Sequence, residues 1–212
     1  VAHELGHAMH SFYSSQKQDF INSIYAIFCA EVASTTNENL LLEYMLKNAS
    51  TKEEHLYFIN QYLEQIRTTV YRQVLFAEFE EITHKRIEEG KPLTADALEK
   101  IYLNLNQQYY GSSVVLDDEI KAEWSYIPHF YWPFYVYQYA TGYAAAVTLS
   151  QRLLTQGEPA RKAYLDYLAS GCSDYPINLL KKAGVDMTTN VPLTVTFQKF
   201  AACLDELEPL TK

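Results

Sequence analysis

The sequence predicts an all-α fold of many helices, and three observations carry that reading. Apolar residues recur at helical spacing through most of the chain, strand-like alternation is scarce, and glycines or prolines stand where several periodic stretches stop or start. Hydrophobic residues make up 48% of the 212, enough to bury a core without a staple. No repeat, low-complexity tract or Gly/Ser-rich linker divides the chain, so one domain over residues 1–212 is expected.

Val1 to about Ser15 reads as a helix already under way, because no cap precedes it, and the chain accordingly reads as truncated at its start. A polar loop from about Gln16 to Asn22 leads to a second helix, about Ile24 to Lys47, which Asn48-Ala49-Ser50 breaks. Ser50 with Glu53 three residues on has the capping-box pattern and opens a long helix to about Glu89, stopped by Gly90 and Pro92. Thr94 caps the next, whose end is Tyr109-Tyr110-Gly111. Residues 112–128 are the least regular, with a brief Val114-Val115-Leu116 run that reads as a short strand. Pro133 suits the first turn of a helix running to about Gln156, and Pro159 opens another up to Gly171. A short helix from about Ile177 to Ala183 precedes Gly184, and a last one follows Pro192.

Composition excludes several functions. The formal net charge is −9 and the short cationic clusters sit beside acidic residues, so nucleic acid is not an expected partner. No apolar run is long enough to span a bilayer and the first residues lack an export-signal pattern, so no membrane is expected and the reading is cytoplasmic. Three widely spaced cysteines, Cys29, Cys172 and Cys203, indicate neither a disulfide framework nor a Cys-type zinc finger. Eighteen tyrosines are unusual, and many crowd between Tyr102 and Tyr143. Such a cluster is core or the lining of a peptide cleft, and composition alone favours core.

The sharpest signal is His3-Glu4-Leu5-Gly6-His7. Two imidazoles four residues apart stand one above the other on a helix face, close enough to share one ion, and Glu4 beside them can reach a water held there. Neutral imidazole suits Zn²⁺, and the pattern is that of a zincin-type peptidase with Glu4 as general base. A third ligand is needed. One option, a histidine six residues after the second, fails because that position is Tyr13 and the glycine it requires is replaced by His10. The other is a carboxylate from a second helix, for which Glu31 is best placed after the apolar stretch Ile24 to Ala30. Glu31, Ser34, Thr35 and Glu38 form a polar stripe in which Glu31 binds the metal and Glu38 orients a ligating histidine. His10 reads as a structural histidine.

Two rivals stand beside this reading. A helical di-metal carboxylate bundle would use the pairs Glu4/His7 and Glu81/His84, but the run Glu78 to Glu89 reads as a solvated helix surface and His3 would have no task. A non-catalytic helical interaction module would make the metal motif vestigial.

His-Glu-Leu-Gly-His-Ala-Met-His at 3–10, Ala-Glu-Val-Ala-Ser at 30–34 and Pro-His-Phe-Tyr at 128–131 resemble oligoendopeptidase F, of the thimet oligopeptidase-like zinc peptidases. Tyr-Val-Tyr-Gln-Tyr-Ala-Thr-Gly at 135–142 and Leu-Leu-Lys-Lys-Ala-Gly-Val-Asp-Met at 179–187 extend the likeness over essentially the whole chain. The resemblance implies a mostly helical peptidase that cuts short peptides in a deep channel with one zinc per chain, held here by His3, His7 and Glu31. It also implies that this is the C-terminal part of the catalytic domain, and that an absent N-terminal portion contributes to the channel.

The resemblance further gives His129 the role of a hydrogen-bond donor to substrate and oxyanion. Aligning Tyr137-Gln138-Tyr139 with the Tyr-Gly-Tyr of thimet-type members makes Tyr139 the oxyanion donor. The other donor tyrosine of that pattern falls on Val136, which leaves Tyr135 and Tyr137 as substrate-binding candidates and leaves open which of the three contacts the oxyanion.

Overall fold

The computed structural model describes residues 1–212 and contains nine α-helices and no strand. It divides into two compact units: Val1–Ile66 with Thr141–Lys212, and Arg67–Ala140. No linker composition marks this division, because at both boundaries the chain runs on in helical conformation. No helix is long and apolar enough to cross a membrane.

In the first unit, α1 (Ala2–Lys17) packs on α2 (Ile27–Asn48), which is followed by α3 (Lys52–Ile66). The capping box at the start of α3 lies one residue later than the sequence predicts. Thr51 Oγ1 accepts from the Glu54 amide at 3.1 Å, and Glu54 Oε2 accepts from the Ser50 amide at 2.7 Å. Ser50 therefore receives a carboxylate where the sequence gives it the capping role. Tyr62 of α3 donates to Asn39 of α2 at 2.6 Å, so this buried amide oxygen is satisfied across the helix pair.

The core of this unit gathers Cys29, Val32 and Ala33 from α2 against Ala145 and Leu149, with Tyr167, Leu168, Leu180 and Val185 closing it. Ala145 and Leu149 lie on a long helix that begins in the other unit (Tyr137–Gln156). Its inner part is small and buried through Ala144, Ala145 and Ala146, which permits close packing on several sides. Three more helices follow, Glu158–Leu168, Pro176–Lys182 and Val191–Thr211. Pro159, Pro176 and Pro192 sit in their first turns, where a missing N–H costs nothing. The helix after Pro159 stops at Leu168 rather than Gly171, because Gly171 has φ 52° and its neighbour Cys172 donates its amide to Asn22 O at 2.9 Å. That bond ties the loop between α1 and α2 to the chain that follows.

In the second unit, the long helix expected from residue 50 onward continues as a π turn (Arg67–Tyr71) and α4 (Arg72–Glu88), followed by α5 (Ala95–Tyr110). Thr94 caps α5 through a 3.2 Å bond from the Ala97 amide, and Gly111 ends it at φ 69°. Leu75, Phe76, Phe79, Tyr102, Leu105, Ile127 and Val136 form the core. A buried Glu123 accepts from Arg72 at 2.5 Å and from the Tyr102 hydroxyl, so its charge is paired. The predicted strand at Val114 to Leu116 is absent; 3₁₀ turns at Asp118–Tyr126 and Pro128–Tyr131 follow instead. Pro133 lies ahead of the next helix, which starts at Tyr137, because the chain turns at Phe134 with φ 60°. The run from Glu78 is not a solvated surface throughout: Phe79 and Glu80 are both buried.

One contact sets the distance between α1 and α2. A Cβ added to Gly6 would lie 2.5 Å from Ser34 Cα and 2.7 Å from Ala33 O, so the two backbones touch where only glycine fits. Helix propensity alone predicts that Gly6→Ala stabilises the protein by up to about 1 kcal/mol. The packing predicts the reverse, a loss of about 1–3 kcal/mol from forcing the helices apart. Thermal or denaturant unfolding decides between them, with a lower midpoint expected and a higher one contradicting the close approach.

Candidate metal centre

The Gly6 contact brings the α1 imidazoles over the carboxylate of α2. His3 Nε2 and His7 Nε2 are 3.2 Å apart, and Glu31 Oε2 lies 3.3 Å from the first and 3.6 Å from the second. Among the His, Cys, Asp and Glu side chains, these three form the set whose ligand atoms converge within 4.8 Å. Three donor atoms at tetrahedral positions around zinc, each about 2.0–2.1 Å from it, are about 3.3–3.4 Å apart. The triangle therefore has the size a zinc ion requires, and all three side chains are partly exposed, which leaves room for a fourth ligand.

Neighbouring side chains orient this set. His3 Nδ1 is 3.2 Å from Glu38 Oε1. A carboxylate can only accept, so Glu38 favours the form of His3 that carries a proton on Nδ1 and leaves Nε2 for a metal. Ser34, buried, has its hydroxyl 3.0 Å from both Glu31 O and Glu31 Oε2, so it braces the carboxylate against its own helix. Asn37 donates to Ala2 O at 3.0 Å and fixes the first turn of α1 on α2. Lone pairs facing one another with a carboxylate repel unless a proton or a cation sits among them.

Glu4 is exposed on α1, one residue beyond His3. His10 is elsewhere: it is buried, stacked on Tyr25 with ring centroids 3.5 Å apart, and its pKa is lowered to about 4, first by burial and then by His7. It is a neutral core histidine, as read from the sequence, although its Nδ1 has no hydrogen-bond partner. The rival di-metal pair fares worse. Glu81 and His84 are both exposed, and His84 rests its ring on Phe134, 4.8 Å between centroids.

The remaining candidates lie in the second unit and form an aromatic group of their own. His129 stacks on Tyr135 at 5.9 Å and meets Tyr139 edge-on at 6.0 Å. The Tyr139 hydroxyl donates to that of Tyr135 at 3.3 Å, and Trp132 packs on both His129 and Tyr135. Tyr137 is exposed at the first residue of its helix, and these ring contacts do not include it.

The sequence pattern of peptidase family M3 matches residues 1–199. The chain belongs to peptidase family M3. This family M3 chain is 50% identical over 210 residues to oligopeptidase PepF of Bacillus subtilis (strain 168), covering 99% of itself and 31% of that protein. It is 43% identical over 212 residues to the chromosomal oligoendopeptidase F of Lactococcus lactis subsp. cremoris, covering all of itself and 35% of the relative. The crystal structure of oligoendopeptidase-F from Enterococcus faecium superposes with a TM-score of 0.88 at 45% identity, covering 99% of this chain and 38% of that one. The M3 chain thus spans about a third of the length of the curated relatives it matches.

Two residues at this candidate centre escaped the sequence. Gly6 was visible only as part of the five-residue motif, and nothing in one sequence marks a helix glycine as a contact point. Asn37 sits in a polar run that looks solvated. The role read for Glu38 makes a measurable claim. Glu38→Ala is expected to weaken zinc binding about 10–100-fold in a chelator competition titration, because His3 loses the partner that fixes its tautomer. Unchanged affinity would show that Glu38 does not orient the ligand.

Proposed function

We propose that the full-length protein is a zinc metalloendopeptidase that hydrolyses peptide bonds in short oligopeptides. The observation that supports this most is the donor triangle of His3, His7 and Glu31, whose 3.2–3.6 Å edges match a single tetrahedral ion. Membership of family M3 supports it independently.

His3 and His7 offer Nε2, and Glu31 offers one oxygen, to one zinc per chain. A zinc held by these three residues would supply Lewis acidity, which makes water a stronger nucleophile near neutral pH. Glu4, exposed one residue from His3, takes the proton of the attacking water and delivers it to the leaving amine. His129 and Tyr139 donate hydrogen bonds to the oxygen on which negative charge develops, and Tyr135 and Tyr137 bind the peptide, as the family resemblance assigns them. Donors set in place for that charge act on the transition state more than on the bound substrate. The remaining two thirds of the polypeptide, judged by the relatives' length, completes the channel that holds the peptide.

Two sets of variants of the full-length protein test the reading on a quenched short peptide. Glu4→Gln keeps the zinc content and loses about 10²–10⁴ in kcat, because the amide preserves shape and accepts no proton. His129→Ala and Tyr139→Phe lower kcat more than they raise KM. Full turnover in Glu4→Gln would refute its role as base, and a pure KM effect would move His129 and Tyr139 to ground-state binding.

A further inference from the structure

Phe134 is the only non-glycine residue with positive φ, at 60°. A bulky aromatic there is an outlier, since its Cβ crowds the backbone in the left-handed region. Burial of the ring does not hold it there, because Phe134 is 54% exposed. What meets it is Glu80 on α4. Glu80 is 4% exposed, and its Oε1 accepts from the Phe134 amide at 3.0 Å. One turn further along α4, His84 lies against the Phe134 ring. Burial pushes the Glu80 carboxyl above its usual range, while the Phe134 amide and His84 pull it back.

Each unfavourable feature is accounted for by the other. A carboxylate is costly to bury without a donor, and a left-handed phenylalanine is costly to hold without a tether. The turn they create sits at the entry to the aromatic group. Val136, two residues on, is fully buried in the core, whereas Tyr135 between them turns to stack on His129 and to receive the Tyr139 hydroxyl. The backbone direction at Phe134 thus decides which side chain enters the core and which joins His129.

We propose that Glu80 is a positioning residue, whose hydrogen bond to the Phe134 amide holds the left-handed turn that sets Tyr135 against His129 and Tyr139. The inference rests on the function given above to His129 and Tyr139, and it adds a buried carboxylate on a separate helix to the machinery that keeps them in place.

The test compares Glu80→Ala, Glu80→Gln, Phe134→Pro and His129→Ala in the full-length protein at equal zinc content, on one quenched peptide. Glu80→Ala is expected to lower kcat about tenfold or more with little change in KM. Glu80→Gln keeps an oxygen that accepts from the amide and should restore kcat to within about threefold of the parent. Phe134→Pro removes the donor and imposes negative φ, so it should lose kcat as Glu80→Ala does. This exposed-loop variant decides the matter if Glu80→Ala does not fold. Parent-like kcat in Glu80→Ala or Phe134→Pro, or equal losses in Glu80→Gln and Glu80→Ala, would overturn the proposal while His129→Ala still slows the reaction. Parent-like kcat in His129→Ala would instead remove the role of His129, and this inference with it.

Discussion

Where α1 crosses α2, two backbones meet at Gly6 with no side chain between them, and the convergence of His3, His7 and Glu31 is a consequence of that distance. His3 and His7 flank the contact on one helix, and Glu31 stands three residues before Ser34 on the other. A methyl group at the crossing would push the imidazoles away from the carboxylate, and the 3.2–3.6 Å triangle would open. The same close approach lets Asn37 reach the first carbonyl oxygen of α1 and lets Glu38 reach His3. One steric constraint therefore sets both the ligands and the groups that orient them.

Electrostatics explains why so much structure surrounds three donor atoms. Bare imidazole lone pairs and a carboxylate oxygen within hydrogen-bond distance are unfavourable together unless positive charge lies among them. Two of the three side chains are held by neighbours, His3 by Glu38 on its far nitrogen and Glu31 by the Ser34 hydroxyl. Ligands held from a second layer lose little freedom on binding an ion, and Glu38 biases His3 toward the tautomer that binding requires. His10, one turn beyond His7, shows the contrasting case: buried against Tyr25 and Tyr167, it stays neutral and serves the core.

Much of this was legible in the residues. The helical class, the caps at Thr94 and Gly111 and the pairing of His3 with His7 follow from local rules that the chain obeys. The placement of Glu31 and Glu38 beside the imidazoles was legible because polar residues at helical spacing on an apolar helix need a reason. Long-range features were not. Nothing near Phe134 in sequence announces that a carboxylate 54 residues earlier tethers its amide, so a helix starting at Pro133 was the natural expectation. Glu80 itself is hidden in an acidic run, between a buried Phe79 and an exposed Glu81. The boundary between the two compact units leaves no compositional mark either, because the backbone crosses it in helical conformation.

The central claim is that two residues of α1 and one of α2 make a single metal site. Titration of the metal-stripped protein with zinc, repeated on Glu31→Ala, tests it most directly. The parent should bind one equivalent. The variant should lose more affinity than the ten- to hundredfold expected from removing an orienting neighbour. Undiminished binding by Glu31→Ala, or two ions per chain in the parent, would contradict it.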